Sequence, residues 1–227
     1  MKNWIVLCAL LLAAGARAQQ TAQLPYDGRK TGFVYFEDRF NWVNARFGGE
    51  DHMNGSFGKV GPRVDGLPES LKPLMKASGW ITSNRYLYVR LGYFQVGRGG
   101  DAGDIISPKF NDFDNSAFPI LPPRYGIAPG TKADVRVSFD LAIFRSANGR
   151  RDQNPIVVEI LGDGVFDDLG NTELELTVEN YNKWKNFAVV VRGATSRTRI
   201  RVKSGNINRE AGPSRFFFDR FKVEKAK

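Results

Sequence analysis

Cysteine and histidine are almost absent from this chain. There is one of each, Cys8 and His52, so no intramolecular disulfide can form and a thiolate or imidazole zinc centre lacks its ligands. Long apolar runs are missing as well. The longest, from Trp4 to Ala14, falls short of the roughly 20 residues that a membrane span requires. Catalytic signatures are equally scarce: no serine sits in a nucleophile elbow, and His52, beside Glu50 and Asp51, is the one place with acid–base potential. No stretch sustains helical periodicity.

The apolar run near the start has a different use. Lys2 precedes it and Ala16-Arg17-Ala18 closes it, the charged, apolar and small-x-small succession of a secretory leader. Residues 1–18 are therefore expected to be a signal peptide, with the mature chain starting at Gln19. Cys8 lies inside the apolar run and follows Leu7 rather than a small residue, so it is not a lipid-attachment site. The expected setting is bacterial export: periplasm, cell surface or medium. Without Lys2 and Arg17, 31 basic residues face 24 acidic ones, a balance of about +7. For an exported chain that excess points to acidic polysaccharide or another anionic surface and not to nucleic acid.

What is abundant is short strand pattern. Residues 19–31 read as a loose arm and 32–227 as one domain. Gly32–Phe40 begins it, and Asp134–Phe144 places Val135, Val137, Phe139, Leu141 and Ile143 on one face. Further strands are expected at 86–91, 94–96, 104–107, 156–161, 173–178, 187–191, 198–203 and 216–223, with one short helix near Pro68–Lys76. Short strands separated by turns make an all-β antiparallel β-sandwich. Two loops, 41–78 and 111–130, are long enough to expect a use for them.

Several segments in order, FEDRFNW, GWITSNRYLYVRLG, DIISPKF, DVRVSFDLAIF, IVVEILGDG, VVVRGATSRTRIRV and RFFFDRFKV, resemble the galactose-binding-like jelly rolls of carbohydrate-binding modules common on exported Bacteroidetes proteins. The resemblance implies a jelly roll that binds a glycan without chemistry. It also implies a structural calcium near the first and last strands, for which Glu37 or Asp38 with Asp219 would supply carboxylates. Against that pattern the chain is expected to stand alone, with no catalytic domain attached, and it carries two long loops.

Candidate ligand contacts follow from residue type. Trp42, Tyr93, Tyr125 and Tyr181 lie in or beside loops and are candidates to stack on sugar rings, whereas Trp80 and Trp184 are expected in the core. Arg197, Arg199, Arg201 and Lys203 alternate with Thr198, Ile200 and Val202 and so share one face. They either bind a polyanion or pair with an acidic neighbour strand, for which Glu173, Glu175 and Glu179 are the candidates. Asp219 is expected on the face of Phe217 and Phe221. The loop 162–171, with Asp163, Asp167 and Asp168, is either a turn connection or a cation loop. The leading expectation is an exported glycan-binding sandwich, its glycan an acidic one. The alternatives are an envelope assembly protein with a protein partner and a jelly-roll glycanase or lyase.

Overall fold

The computed structural model describes residues 24–48, 61–145, 149, 151–152, 155–166, 168–179, 181–205 and 214–227. The leader, the Glu50-Asp51-His52 cluster and Asp167 lie outside the described residues. The strands are β1 (Val34–Asp38), β2 (Leu87–Val89), β3 (Phe94–Val96), β4 (Asp104–Ile106), β5 (Ala133–Ile143), β6 (Ile156–Leu161), β7 (Glu173–Leu176), β8 (Lys185–Ala194), β9 (Arg199–Ser204) and β10 (Phe216–Lys225). One helix, α1 (Lys72–Ser78), carries its proline in the first turn, where no amide hydrogen is needed, and ends on Gly79 at φ +76°.

Two antiparallel sheets form. The larger runs β2-β3-β10-β5-β8, with β1 also paired to β10; the smaller runs β4-β9-β6-β7. The β-sandwich expected from the alternation is what the structure shows. Strand β10 organises the larger sheet. One edge pairs with β5, while the other pairs first with β3 (Phe216–Phe218) and then with β1 (Phe221–Glu224). A shared core fills the space between sheets, with Phe94, Phe139, Phe218 and Val223 from one and Ile105, Val158, Ile200 and Val202 from the other. The five alternating apolar side chains of β5 are fully buried there, each contributing about 1.5–3 kcal/mol relative to exposure.

One strand breaks its own alternation. In β10 the inward side chains are Phe216 and Phe218, then Phe221 and Val223, so the parity changes across Asp219 and Arg220. The pairing with β5 is irregular at this point, and Arg220 takes φ +48°. An extra residue in a bulge re-aims everything beyond it. Asp219 therefore shares the outer face with Phe217, as expected, but not with Phe221, which is fully buried in the core. Phe217 is itself 1% exposed because Tyr93 and Trp184 cover it on the outside.

The loop 111–130 is bound to the larger sheet rather than free of it. Arg124 forms a bridge to Phe36, and the Tyr125 amide donates to the Tyr35 carbonyl at 2.8 Å. Within the loop, Gly126 lets the chain pass close to its own earlier part, because a Cβ there would lie 2.0 Å from the backbone of Asn111. The segment Arg124–Tyr125 thus extends the sheet beyond β1.

Candidate functional site

The outer face of the larger sheet carries a polar trough. Reading across the strands, Asn186 of β8 lies opposite Asp140 of β5, which lies opposite Asp219 of β10. In the adjoining row Ala188, Ser138, Lys222 and Glu37 follow one another from β8 to β1. Two hollows make up the trough and share Glu37 and Arg39. One, of about 520 Å³, is lined by Trp184, Asn186, Asp140, Arg220 and Lys222; the other, of about 400 Å³, by Asn41, Ile120, Pro123 and Tyr125. The strand order places Trp184 and Tyr125 at opposite ends.

Its floor is held rigidly. Asp140 and Asp219 are like charges on directly opposed positions, an arrangement that repels. Arg220 relieves it: its guanidinium meets Asp140 Oδ2 at 2.6 Å, and its amide donates to Asp219 Oδ1 at 2.7 Å. Asn186 Nδ2 donates to Asp140 Oδ1 at 2.7 Å. The left-handed conformation of Arg220 is what lets one residue serve both acids. Burial pushes the Asp219 carboxyl up to about 6, opposed by the Arg220 amide and guanidinium and reinforced by Asp140 and Asp38. Arg39 pairs with Glu37 at 2.6 Å yet stays 65% exposed, and the Arg220 side chain is 58% exposed. Charged donors therefore face solvent along the trough while the acids beneath them are satisfied.

The aromatic candidates divide. Tyr125, 55% exposed, stands at the trough's end with its ring centre 6.3 Å from that of Phe33. Trp42 is 1% exposed, packed edge-on against Phe47 and Phe94, and its indole N–H donates to Asp38 at 3.1 Å. It is packed in the core and also forms part of the lining of the hollow of about 400 Å³. Tyr93 is likewise buried, edge-on to Trp184 at 5.4 Å. Tyr181 is half-buried beneath the Arg151 guanidinium, 5.0 Å from its ring centre. Trp80 is in the core as expected, its indole donating to Asp38 at 2.8 Å. Trp184 reverses expectation: it is only half-buried and lines the trough. Sequence reasoning missed Asp140, Asn186, Arg220 and Lys222. The signal was present as polar outward positions in strands whose inward positions are apolar, but their adjacency was not.

Glu37, Asp38 and Asp219, the carboxylates expected near a calcium, each accept from protein donors. Register sends Glu37 outward beside Lys222 and Asp38 inward beside Phe221. The Asp38 carboxylate is occupied by two indoles and the Phe40 amide, and burial holds it up at about 6 against those donors. Among the described residues no group of three or more acidic, histidine or cysteine side chains is placed to hold a metal ion. In the loop 162–171, Asp163 accepts from Thr195 and Arg197 and so ties down the 195–198 turn.

The cationic ladder occupies the outer face of the smaller sheet, and three of its four members are paired with acids. Arg197 lies in the turn before β9 and makes a two-pronged contact with Asp163 at 3.0 Å. Arg199 donates to the carbonyls of Ser107 and Gly79. Arg201 meets Asp104 at 2.7 Å and Glu159 at 3.2 Å, and Lys203 joins Glu159 and Glu173 at 2.9 and 2.7 Å. Of the expected acids only Glu173 takes part. Glu159 and Asp104, on the two strands flanking β9, do most of the pairing. Burial opposes ionisation of Asp104, but hydrogen bonds from Ser83 and Thr82 and the charge of Arg201 hold its carboxyl below the ordinary range.

No protein-family model matches the chain, and no curated protein matches it. Solved structures that it resembles include CBM61 in complex with β-1,4-galactotriose, at 13% identity over 64% of this chain and 86% of the other, TM-score 0.35. The CBM22-1 xylan-binding domain from Paenibacillus barcinonensis Xyn10C is 11% identical over 88% of this chain and 98% of the other, TM-score 0.37. The K1 cleaved adhesin domain of Lys-gingipain from Porphyromonas gingivalis W83 is 15% identical over 85% and 98%, TM-score 0.32.

Proposed function

We propose that the protein binds a glycan in the trough on the outer face of the larger sheet and performs no chemistry on it. The observation that carries this reading is the arrangement itself: two partly exposed aromatic rings at opposite ends, with planar and charged hydrogen-bonding side chains between them. Sugars present apolar C–H faces and ranks of hydroxyls, so they need a ring to lie against and donors and acceptors in fixed places. Trp184 and Tyr125 offer the rings. Asn186, Glu37, Arg39, Arg220 and Lys222 offer the polar groups, with both rotation and position limited by the contacts below them.

The glycan we propose is acidic. Arg39, Arg220 and Lys222 give the trough an exposed cationic lining, and a guanidinium suits a carboxylate or sulfate through two parallel hydrogen bonds. An exported protein is the setting proposed with it, supported by the leader pattern of residues 1–18 and the excess of basic residues.

A glycan array on the mature protein, followed by calorimetric titration of the hits, tests the reading. Tyr125→Ala and Arg39→Ala should each weaken binding, and the loss at Arg39 should shrink with added salt because exposed charges are screened. No hit on the array, or hits unaffected by either substitution, would remove the trough from the account. Mass spectrometry of the secreted protein should find Gln19 at its N-terminus.

A further inference from the structure

Arg124 and Tyr125 are consecutive residues of an extended segment, so their side chains turn to opposite sides. Tyr125 faces the trough. Arg124 faces a second pocket, of about 610 Å³, between the end of α1, residues 109–118 and β9. It shares no lining residue with the trough. Lys76, Lys109, Arg124 and Arg199 all line it, and no carboxylate does.

Three of these cations lie outside the ladder, and the fourth, Arg199, is the ladder member with no acid partner among the described residues. Arg124 is 8% exposed, with its guanidinium carbon 4.1 Å above the Phe113 ring and a single hydrogen bond, 3.5 Å long, to the Ser78 carbonyl. The backbone has been cleared for it: a Cβ on Gly79 would lie 2.9 Å from Arg124 Nη1. Its nearest acid, Asp38, attracts it electrostatically, but the Asp38 oxygens are already held by Trp42, Trp80 and the Phe40 amide. Arg199 spends one nitrogen on the Ser107 and Gly79 carbonyls. Lys76 and Lys109 are exposed and have no ion pair with any described residue. Burial lowers both arginines from their ordinary range, Arg124 to about 10, and Arg199 adds to the effect on Arg124.

A buried guanidinium with most of its donors unspent is costly unless an anion completes it. Four convergent cations without an opposing carboxylate concentrate positive potential in one concave place. Phe113 and Phe118 supply an apolar wall beside them. We propose that this pocket is an oxyanion site, taking the carboxylate or sulfate group of a small organic ligand against the Arg124 fork. The site stands independently of glycan binding in the trough.

Inorganic sulfate and glucuronate are the probes, titrated calorimetrically into the mature protein at low ionic strength with chloride as control. Saturable binding of either probe is expected. Lys76→Gln with Lys109→Gln should weaken it about tenfold while leaving the melting temperature of the free protein unchanged, since both lysines are exposed and have no ion pair among the described residues. Arg124→Lys keeps the charge and loses the fork, so it should weaken glucuronate further; if that variant fails to fold, the double lysine variant still decides. Tyr125→Ala should leave oxyanion binding intact, which separates this site from the trough. Absence of saturable binding for both probes, or equal affinity in the double lysine variant, would overturn the proposal.

Discussion

The outer faces of the two sheets are both rich in charge, and they use it differently. On the smaller sheet, Arg201 stands between Asp104 and Glu159 on its two neighbouring strands, Lys203 reaches Glu159 and Glu173, and Asp104 is almost wholly buried. Both head groups are committed to carboxylates of the same sheet. On the larger sheet the acids are also satisfied, Asp140 by Arg220 and Asn186, but the cations above them keep much of their surface in water. A row of four cations that reads as an anion site in the sequence has three of its members, Arg197, Arg201 and Lys203, engaged by acids of the same chain in the fold. Density of charge does not make a binding face; unspent hydrogen-bonding capacity does.

The comparison predicts opposite consequences for substitutions on the two faces. The largest effect on stability is expected from Arg201→Ala, which leaves the Asp104 carboxylate with Ser83 and Thr82 but without its ion partner. A loss of about 3 kcal/mol, the low end for an uncompensated buried charge, should appear in urea unfolding, with glycan affinity unchanged. Weakened glycan binding in that variant would show that the smaller sheet also contacts ligand.

On the trough, Tyr125→Ala is expected to cost about tenfold in glycan affinity, about 1.4 kcal/mol, with a change in stability of no more than about 0.5 kcal/mol. A destabilised variant of unchanged affinity would reverse the contrast.

A smaller effect is expected at Asp219. Its carboxyl is raised in the folded state to about 6, against about 3.9 in an unfolded chain. Between those values the folded protein binds more protons, so its contribution to stability is most favourable below about pH 4 and is lost as pH rises through 6. Asp219→Asn should add on the order of 1 kcal/mol at pH 7.5, discounted for partial exposure, and nothing at pH 4. Equal stability of the two proteins at both pH values would mean that Arg220 compensates the charge fully. The smallest effect belongs to Arg197→Ala. Its contact with Asp163 is two-pronged, but its side chain is 75% exposed, so under about 1 kcal/mol is expected, measured as a shift in urea midpoint at constant slope.

Much of the fold was legible because alternation is a local property. Val135, Val137, Phe139, Leu141 and Ile143 announce an inward face from one strand alone, and the observed β6 agrees with its expected limits to the residue. The helix was expected near Pro68–Lys76 and is observed at Lys72–Ser78, with Pro73 in its first turn and Gly79 beyond its end. The site was less legible. Trp42 and Trp184 both flank strands, and nothing local separates the one buried on Asp38 from the one that lies open beside Asn186. The ladder was recognised as a face, but its partners Asp104 and Glu159 come from strands separated from it by about 97 and 42 residues, so the pairing could not be read along the chain.

By itself, then, the sequence determined which residues form strands and which side chains of each strand seek the core, because a two-residue period and the transfer of apolar surface from water act within a few residues. Only the tertiary structure decided which strands are neighbours, where β10 takes up its extra residue, and which charges are thereby neutralised or left open. Those outcomes depend on register between distant segments. A single bulge at Asp219–Arg220 changes the face presented by every residue after it.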